Sequence, residues 1–486
     1  LAAVVGVVTW TSCGGDDDGR PPGPSNPTAT PTACPTASPN ECFLVRVPQR
    51  RRDGRADDRT VELFVVRQAP AALQDRTPLV LLAGGPGSVI VEALAEGEVL
   101  LELATALGRP VLVPAQRGVP PAAPDLSCPD FRRAGGADAC IADLASQGFE
   151  AAAFNTLENA ADMRDVVRAL GYERAAFYGA SYGSRLGLTI AREHPDVVES
   201  LVIAGAVFPS RRLSYEQQET LLDSMFAEFD EWYSSRCRAD AACTAAMPDF
   251  TTVAASLEGA ILRFEEGEVA LTSRTRFGSV ESLVEPLYAS FYSQENRAFF
   301  IFIVHAIATG EIERAKRFLA GGSSDPERMR RVDERIDEFF GEGGDTDLEA
   351  GIALGMNEIV NCFDLLWSVR GSDPWCARLH GRSGRTEAEF AAALRRPQVP
   401  VLVLQGKFDP ATFAAAARED VAEQLDPSRT RYVEWECGAH DIANLGFSEC
   451  HASIVERFLA APSAPIDTAC VATDCARSPL LPAPVP

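Results

Sequence analysis

Ser181 stands in the run Gly179, Ala180, Ser181, Tyr182, Gly183, a GxSxG that directly follows the apolar stretch Arg174 to Tyr178 and directly precedes a helical pattern. That context allows nucleophilic attack by a hydroxyl. On a sharp strand-to-helix turn, flanking glycines remove the Cβ atoms that would collide with backbone, and the turn lifts the serine clear of a sheet. A glycine turn that merely holds a serine is the plain alternative. A serine at its ordinary pKa needs a general base, and the chain has 5 His. His194 lies two turns down the helix after the serine, and His305 sits in the apolar stretch Phe299 to Ile307, where a packed histidine is the natural reading. His380 falls in an inserted region and His451 begins a helix after Cys450. His440, on the glycine-containing loop Glu436 to His440 after the last apolar strand, is the expected base. Asp409 follows the strand Val401 to Gln405 and would orient the imidazole and stabilise its charged form; a turn-forming Asp before Pro410 is its plain alternative. The expected acid limb of activity lies near neutrality or slightly below. The oxyanion needs backbone donors, and the turn Ala83, Gly84, Gly85, Pro86, Gly87 offers them: the N–H of Gly85 paired with that of Tyr182, with Gly84 as the fallback. As a phosphate loop this turn fails, having neither GK[ST] nor GxGxxG spacing.

These residues must be carried by a sheet. Short β-branched or aliphatic runs, Val61 to Val66, Leu79 to Leu82, Pro110 to Val113, Arg174 to Tyr178, Leu201 to Ile203, Val399 to Leu404 and Thr430 to Trp435, read as strands, most of them continuous rather than alternating, as expected where both faces are buried. Helical patterns between them, such as Leu157 to Leu170 and Ser184 to Glu193, predict a mostly parallel sheet flanked by helices. Residues 208–395 break this rhythm with largely helical stretches at Leu213 to Ser234, Leu283 to Ala308 and Asp325 to Phe340. They read as an insertion that should roof the pocket. The expected division is 1–12 signal peptide, 13–40 disordered Pro/Thr-rich tether, 41–207 first part of the core, 208–395 helical cap, 396–476 second part of the core, and 477–486 disordered tail.

At 486 residues with 46% apolar and 23% charged side chains, the chain has an ordinary globular composition and room for a large core. Its 69 acidic against 45 basic residues give a net charge of −24, which would repel nucleic-acid phosphate. No cofactor or metal is expected, since neither a CxxC pair nor an HExxH helix occurs. The apolar run Leu1 to Trp10 is too short to span a bilayer and reads as a secretory h-region. Thr11, Ser12, Cys13 and Gly14 resemble a bacterial lipoprotein signal in which Cys13 is acylated, giving membrane attachment through a lipid; plain cleavage without lipid is the alternative. Cys13 aside, an even number of cysteines remains, which in an exported protein indicates disulfides. Close spacing suggests Cys34 with Cys42, Cys128 with Cys140, Cys237 with Cys243, Cys362 with Cys376, Cys437 with Cys450, and Cys470 with Cys475.

GGPG at Gly84 to Gly87, QRG at Gln116 to Gly118, Asn155 and Thr156, the stretch Asp162 to Gly171, the GASYG elbow and the Asp409 and His440 segments together resemble the proline iminopeptidase and tripeptidyl aminopeptidase branch of α/β-hydrolases. Cys128, the segment around Cys362 and Asp364, and the tail with Cys450 and Cys470 are similar to the secreted tripeptidyl-aminopeptidase type. The chain departs from the iminopeptidase pattern at Ala83, where His is usual, at Ala115, which replaces the Asp of DQRG, and at Val119 and Pro120. The resemblance implies an α/β-hydrolase fold with a helical cap and cleavage of short peptides from a free N-terminus. Such an enzyme must recognise an ammonium, and Glu358 and Asp364 in the insertion are the candidate anchors, a solvated acidic face being the plain reading of either. A secreted carboxylesterase or lipase would use the same triad, and a lid of exposed Phe299, Phe300 and Phe302 would favour it over those residues being helix core. A catalytically silent binding protein on the same scaffold is the third reading.

Overall fold

The computed structural model describes residues 27–34, 39–52, 55–56, 59–95, 98–209, 215–341, 351–364 and 396–486. Nine strands form the central sheet: β1 (Ala29–Thr32), β2 (Glu41–Pro48), β3 (Thr60–Gln68), β4 (Leu79–Leu82), β5 (Val111–Pro114), β6 (Ala175–Ala180), β7 (Val198–Ala204), β8 (Val401–Gly406) and β9 (Thr430–Trp435). Their order across the sheet is β1-β2-β3-β5-β4-β6-β7-β8-β9. The first three join antiparallel to one another and to β5, and every pairing from β5 through β4 to β9 is parallel. The inner strands are buried on both faces, as their continuous apolar runs require. This is the expected parallel sheet, with an added antiparallel edge.

That edge corrects the reading of a disordered tether for its described end, where Ala29–Thr32 pairs with β2 and Cys34 is bonded to Cys42, while 13–26 and 35–38 lie outside the described residues. Thr suits a strand, and Pro31 is tolerated because an edge strand leaves one row of donors unpaired. The tail 477–486 is likewise ordered. The Val485 N–H donates to Leu319 O at 2.8 Å, Tyr233 donates to Leu480 O, and Arg335 donates to Ala483 O at 2.8 Å, so the tail lies against the insertion. Leu480, Leu481 and Val485 supply apolar contacts there, which a composition count of so short a segment understates.

The insertion falls between β7 and β8, and it has two parts. Helices α1 (Tyr215–Ala239), α2 (Val253–Glu266), α3 (Glu281–Ser290), α4 (Gln294–Thr309) and α5 (Pro326–Phe340) share their own apolar cluster of Phe, Ile and Val side chains. Phe299, Phe300 and Phe302 are interior to it, so they form core and no aromatic lid. Helix α6 (Leu354–Asp364) instead packs into the cluster of the sheet domain through Leu354, Met356, Ile359 and Val360. The stretch Leu283 to Ala308, expected as largely helical, is two helices with a break between α3 and α4, where the Ser293 hydroxyl caps the second helix by accepting from the Asn296 N–H at 3.4 Å.

Two cysteine pairings differ from the expectation: the bonds are Cys437–Cys475 and Cys450–Cys470. Cys470 and Cys475 share helix α7 (Cys470–Ala476), where five residues correspond to about 140° around the axis. They therefore face different neighbours. Cys34–Cys42, Cys128–Cys140 and Cys237–Cys243 are bonded as spacing suggested, while Cys376 lies outside the described residues.

Candidate active site

Ser181 sits between β6 and helix α8 (Tyr182–Glu193) with φ of +52°, in the left-handed region that side chains rarely occupy. Its neighbours show why: a Cβ on Gly179 would meet Gly183 O at 2.2 Å, and one on Gly183 would meet Leu82 O at 2.1 Å. The Ser181 N–H donates to Ala204 O at 2.8 Å, tying the turn to the end of β7. One residue further, at Gly205, a Cβ would lie 3.3 Å from the His440 Cε1, so the imidazole packs beside the same strand end. Ser181 and His440 line one cavity.

His440 Nδ1 lies 2.9 Å from Asp409 Oδ2 and 3.0 Å from Oδ1. Asp409 is fully buried after β8, where it accepts from the Thr412 N–H at 2.8 Å, the Thr412 hydroxyl at 2.5 Å and the Ala411 N–H at 2.8 Å. Burial alone would raise the Asp409 carboxyl, but the facing imidazole and the Thr412 hydrogen bonds outweigh it and hold the pKa below the usual carboxylate value. For His440, burial would lower the pKa, and the Asp409 carboxylate outweighs that too, raising it above the ordinary histidine value. The pair thus favours an imidazolium over a carboxylate, the charge distribution that a serine-activating base passes through. His194 and His451 are both pushed down to about 4 by burial, and His305 lies 3.2 Å from the Ser256 hydroxyl inside the cap.

Tyr182 opens α8, so its N–H belongs to the helix end that has no intrahelical acceptor. Gly84 and Gly85 line the cavity beside Ser181, and a Cβ on Gly84 would come within 3.2 Å of the Ser181 Cβ. This turn is braced from two sides. Gln116 accepts from the Gly87 N–H at 3.2 Å and donates to Ala83 O at 2.9 Å, which gives the first residue of the QRG run a structural task. Asn357 of α6 donates to Pro86 O at 2.8 Å, and Ala353 N–H donates to Gly87 O at 2.8 Å. Arg117 is buried against Asp162, with Nε to Oδ2 at 2.8 Å and Nη2 to Oδ1 at 2.7 Å. Of these braces only Gln116 and Arg117 stood out in sequence, as part of a motif.

The cavity has a volume of about 1060 Å³. Its walls are mainly apolar, with Ile90, Leu94 and Leu103 on one side and Phe413, Leu354 and Ile352 on others, and the cap contributes Gln218, Tyr288 and Tyr292. Arg132 lines it and pairs with the Glu358 carboxylate, Nη2 to Oε1 at 2.7 Å, while Glu358 itself is not among the residues that line the cavity. The side chain of Asp364, at the end of the same helix, lies outside the described residues, as does Cys13. Among the described residues, no group of three or more His, Cys, Asp and Glu could hold a metal ion, and no helix is long and apolar enough to cross a membrane.

This sheet, elbow and inserted cap define a hydrolase of the α/β class, and the model of that fold family matches residues 77–294. The chain has the α/β-hydrolase fold. A second family model, described as TAP-like protein, matches residues 368–470, and the two together support an α/β-hydrolase of the tripeptidyl aminopeptidase type. Among curated proteins none matches. Solved structures similar to it include an esterase from Exiguobacterium antarcticum at 11% identity, with 83% of this chain and 97% of that one covered and a TM-score of 0.38. A bromoperoxidase from Bacillus anthracis is similar at 13% identity over 86% and 99%, TM-score 0.39. Epoxide hydrolase A from Mycobacterium thermoresistibile is similar at 16% identity over 90% and 98%, TM-score 0.36.

Proposed function

We propose that the chain is an exported serine aminopeptidase that releases short peptides from free N-termini. The observation that carries this is the Ser181, His440 and Asp409 constellation beneath a helical cap, together with the TAP-like match over the segment that contains the base and the acid. Ser181 Oγ attacks the scissile carbonyl while His440 Nε2 takes its proton, and the N–H groups of Gly85 and Tyr182 hold the oxyanion. As the tetrahedral intermediate collapses, His440 gives the proton to the leaving amine and an acyl-enzyme remains. Water then attacks the ester with His440 again as base, and Ser181 recovers its proton. The cap restricts entry, so folded polypeptides are excluded. The disulfides among the described residues support an oxidising compartment. Anchoring through Cys13 remains part of the proposal.

A carboxylesterase is the second reading, favoured by the apolar cavity walls and by the engagement of Glu358 with Arg132. The test is kcat/KM on matched tripeptide anilides, free and N-acetylated, beside p-nitrophenyl esters. Loss of an ion pair to a buried carboxylate costs about 2 to 5 kcal/mol, so acetylation should slow cleavage more than tenfold. Asp364→Asn should erase that selectivity more than Glu358→Gln, because Glu358 already has a cation. Equal rates on free and blocked peptides move the assignment to an esterase or endopeptidase.

A further inference from the structure

The cavity at Ser181 does not end beneath the cap. It continues over the sheet face opposite α8, along a seam between two helices that approach each other there, α9 (Val99–Leu107) and α10 (Glu449–Ala460). Each helix covers its part of that face with its own apolar cluster, α9 through Leu100 and Ala104, α10 through Ile454, Val455 and Phe458. Leu81 of β4 packs, partly buried, against both clusters, so it marks the seam. Leu81, Leu103, Tyr178 and Leu445 line the cavity along it, and Ile90 and Val99, 44% and 58% exposed, line it where it meets solvent. Side chains large enough to close the seam are missing from both walls. Ala106 stands on one and Gly446 and Ala452 on the other, and a Cβ on Gly446 would meet nothing within 4 Å. The Tyr178 hydroxyl is turned away to donate to Ala443 O at 3.2 Å, and burial raises its pKa, so the neutral ring presents an apolar surface. Glu102 and Asn444 also line the cavity, and both are exposed.

We propose that this seam is a subsite for an unbranched alkyl chain of the substrate, through which the same triad also cleaves medium-chain esters. From Val99 to Ala106 the α9 wall runs about 10 Å at the helical rise, further than a leucine or phenylalanine side chain reaches and the length of an extended alkyl chain. The whole cavity, about 1060 Å³, stands at the upper end of the range of about 300 to 1,000 Å³ for small-molecule sites. The proposal rests on Ser181 and His440 being the reacting pair, and it holds whether peptide or ester is the better substrate. Ser181 Oγ bonds to the ester carbonyl carbon as His440 Nε2 takes its proton. The bond from that carbon to the alcohol oxygen then breaks, the alcohol leaves with the proton, and water frees the acid from Ser181 with His440 again as base. Each methylene taken from water into the seam should raise kcat/KM up to about fourfold, until the seam is filled.

The experiment uses the full chain and two ester series, p-nitrophenyl alkanoates with the chain on the acyl side and n-alkyl acetates with it on the alcohol side. The readout is a ratio of kcat/KM, octanoate to acetate in the first series and octyl to ethyl in the second. Ala106→Trp and Ala452→Trp fill the seam from its two walls, and both positions are exposed, so the fold should accept them, with melting temperature as the control. Leu262→Trp, at a position 56% exposed on cap helix α2 and away from the cavity, is the comparison. In the wild type and in Leu262→Trp one ratio should reach about 100 or more, and each seam variant should lower it about tenfold or more. The series that responds tells on which side of the scissile bond the chain lies. If one seam variant does not fold, the other decides. Ratios near unity in both wild-type series, or ratios that the seam variants leave unchanged, overturn the proposal. If Ser181→Ala still hydrolyses the short esters, the triad reading itself fails, a distinguishable result.

Discussion

The proposed nucleophile and the proposed base of this site are held in opposite ways. Ser181 is presented mainly by neighbouring residues, a strand, a turn with two glycines and a helix, seated against Leu82 O and Ala204 O. His440 is fixed by segments distant in sequence, namely Asp409 after β8, Phe291, Tyr292 and Arg297 of the cap, and the Cys437–Cys475 bond to α7. One half of the chemistry is thus local geometry and the other an assembly. Substitutions on the nucleophile side should act abruptly, and those on the base side by degrees.

The largest effect should come from Ser181→Ala, with turnover falling about 10⁴-fold or more at an unchanged melting temperature. A rate close to wild type would remove Ser181 from the mechanism. Gly183→Ala should act through the fold, since its Cβ would sit 2.1 Å from Leu82 O. A loss of about 3 kcal/mol in a denaturant titration is expected, and a stable, active variant would show that the elbow can yield.

Removing the Cys437–Cys475 bond by paired serine substitution should cost stability by about 2 to 4 kcal/mol and also slow kcat about tenfold, because Cys437 borders the base loop. The Cys34–Cys42 pair, at the far edge of the sheet, is the control. Its removal should leave kcat alone, and an equal loss of rate in both pairs would contradict the contrast between the two sides.

The smallest effect is in pH. His440 must be neutral to accept a proton, and its pKa is raised, so activity should fall as the pH drops through a value above the usual histidine pKa of about 6.5. A kcat/KM profile flat to pH 4 would exclude a histidine base.

Much of the fold was legible because strands buried on both faces carry continuous apolar runs, and β4, β5 and β8 lie where those runs lie. The edge strand was not, since Ala29–Thr32 carries no apolar pattern and depends on a cross-link to Cys42. The helix break at Phe291 lies just before the polar run Ser293 to Arg297, in which the Ser293 cap marks the restart of a helix. Glu358 was readable as an acid in the right region, but its engagement with Arg132, far earlier in the chain, was not.

By itself the sequence determined the strand, glycine turn and helix that present Ser181, the loops carrying Asp409 and His440, and the insertion between β7 and β8, because turn chemistry and periodic burial are properties of neighbouring residues. Only the tertiary structure decided which cysteines join, that α6 leaves the cap to brace the oxyanion turn, and that Arg297 meets the loop of the base. A periodic pattern fixes which face of an element is apolar. It does not fix what that face will meet, and those meetings are set by packing between segments far apart in the chain.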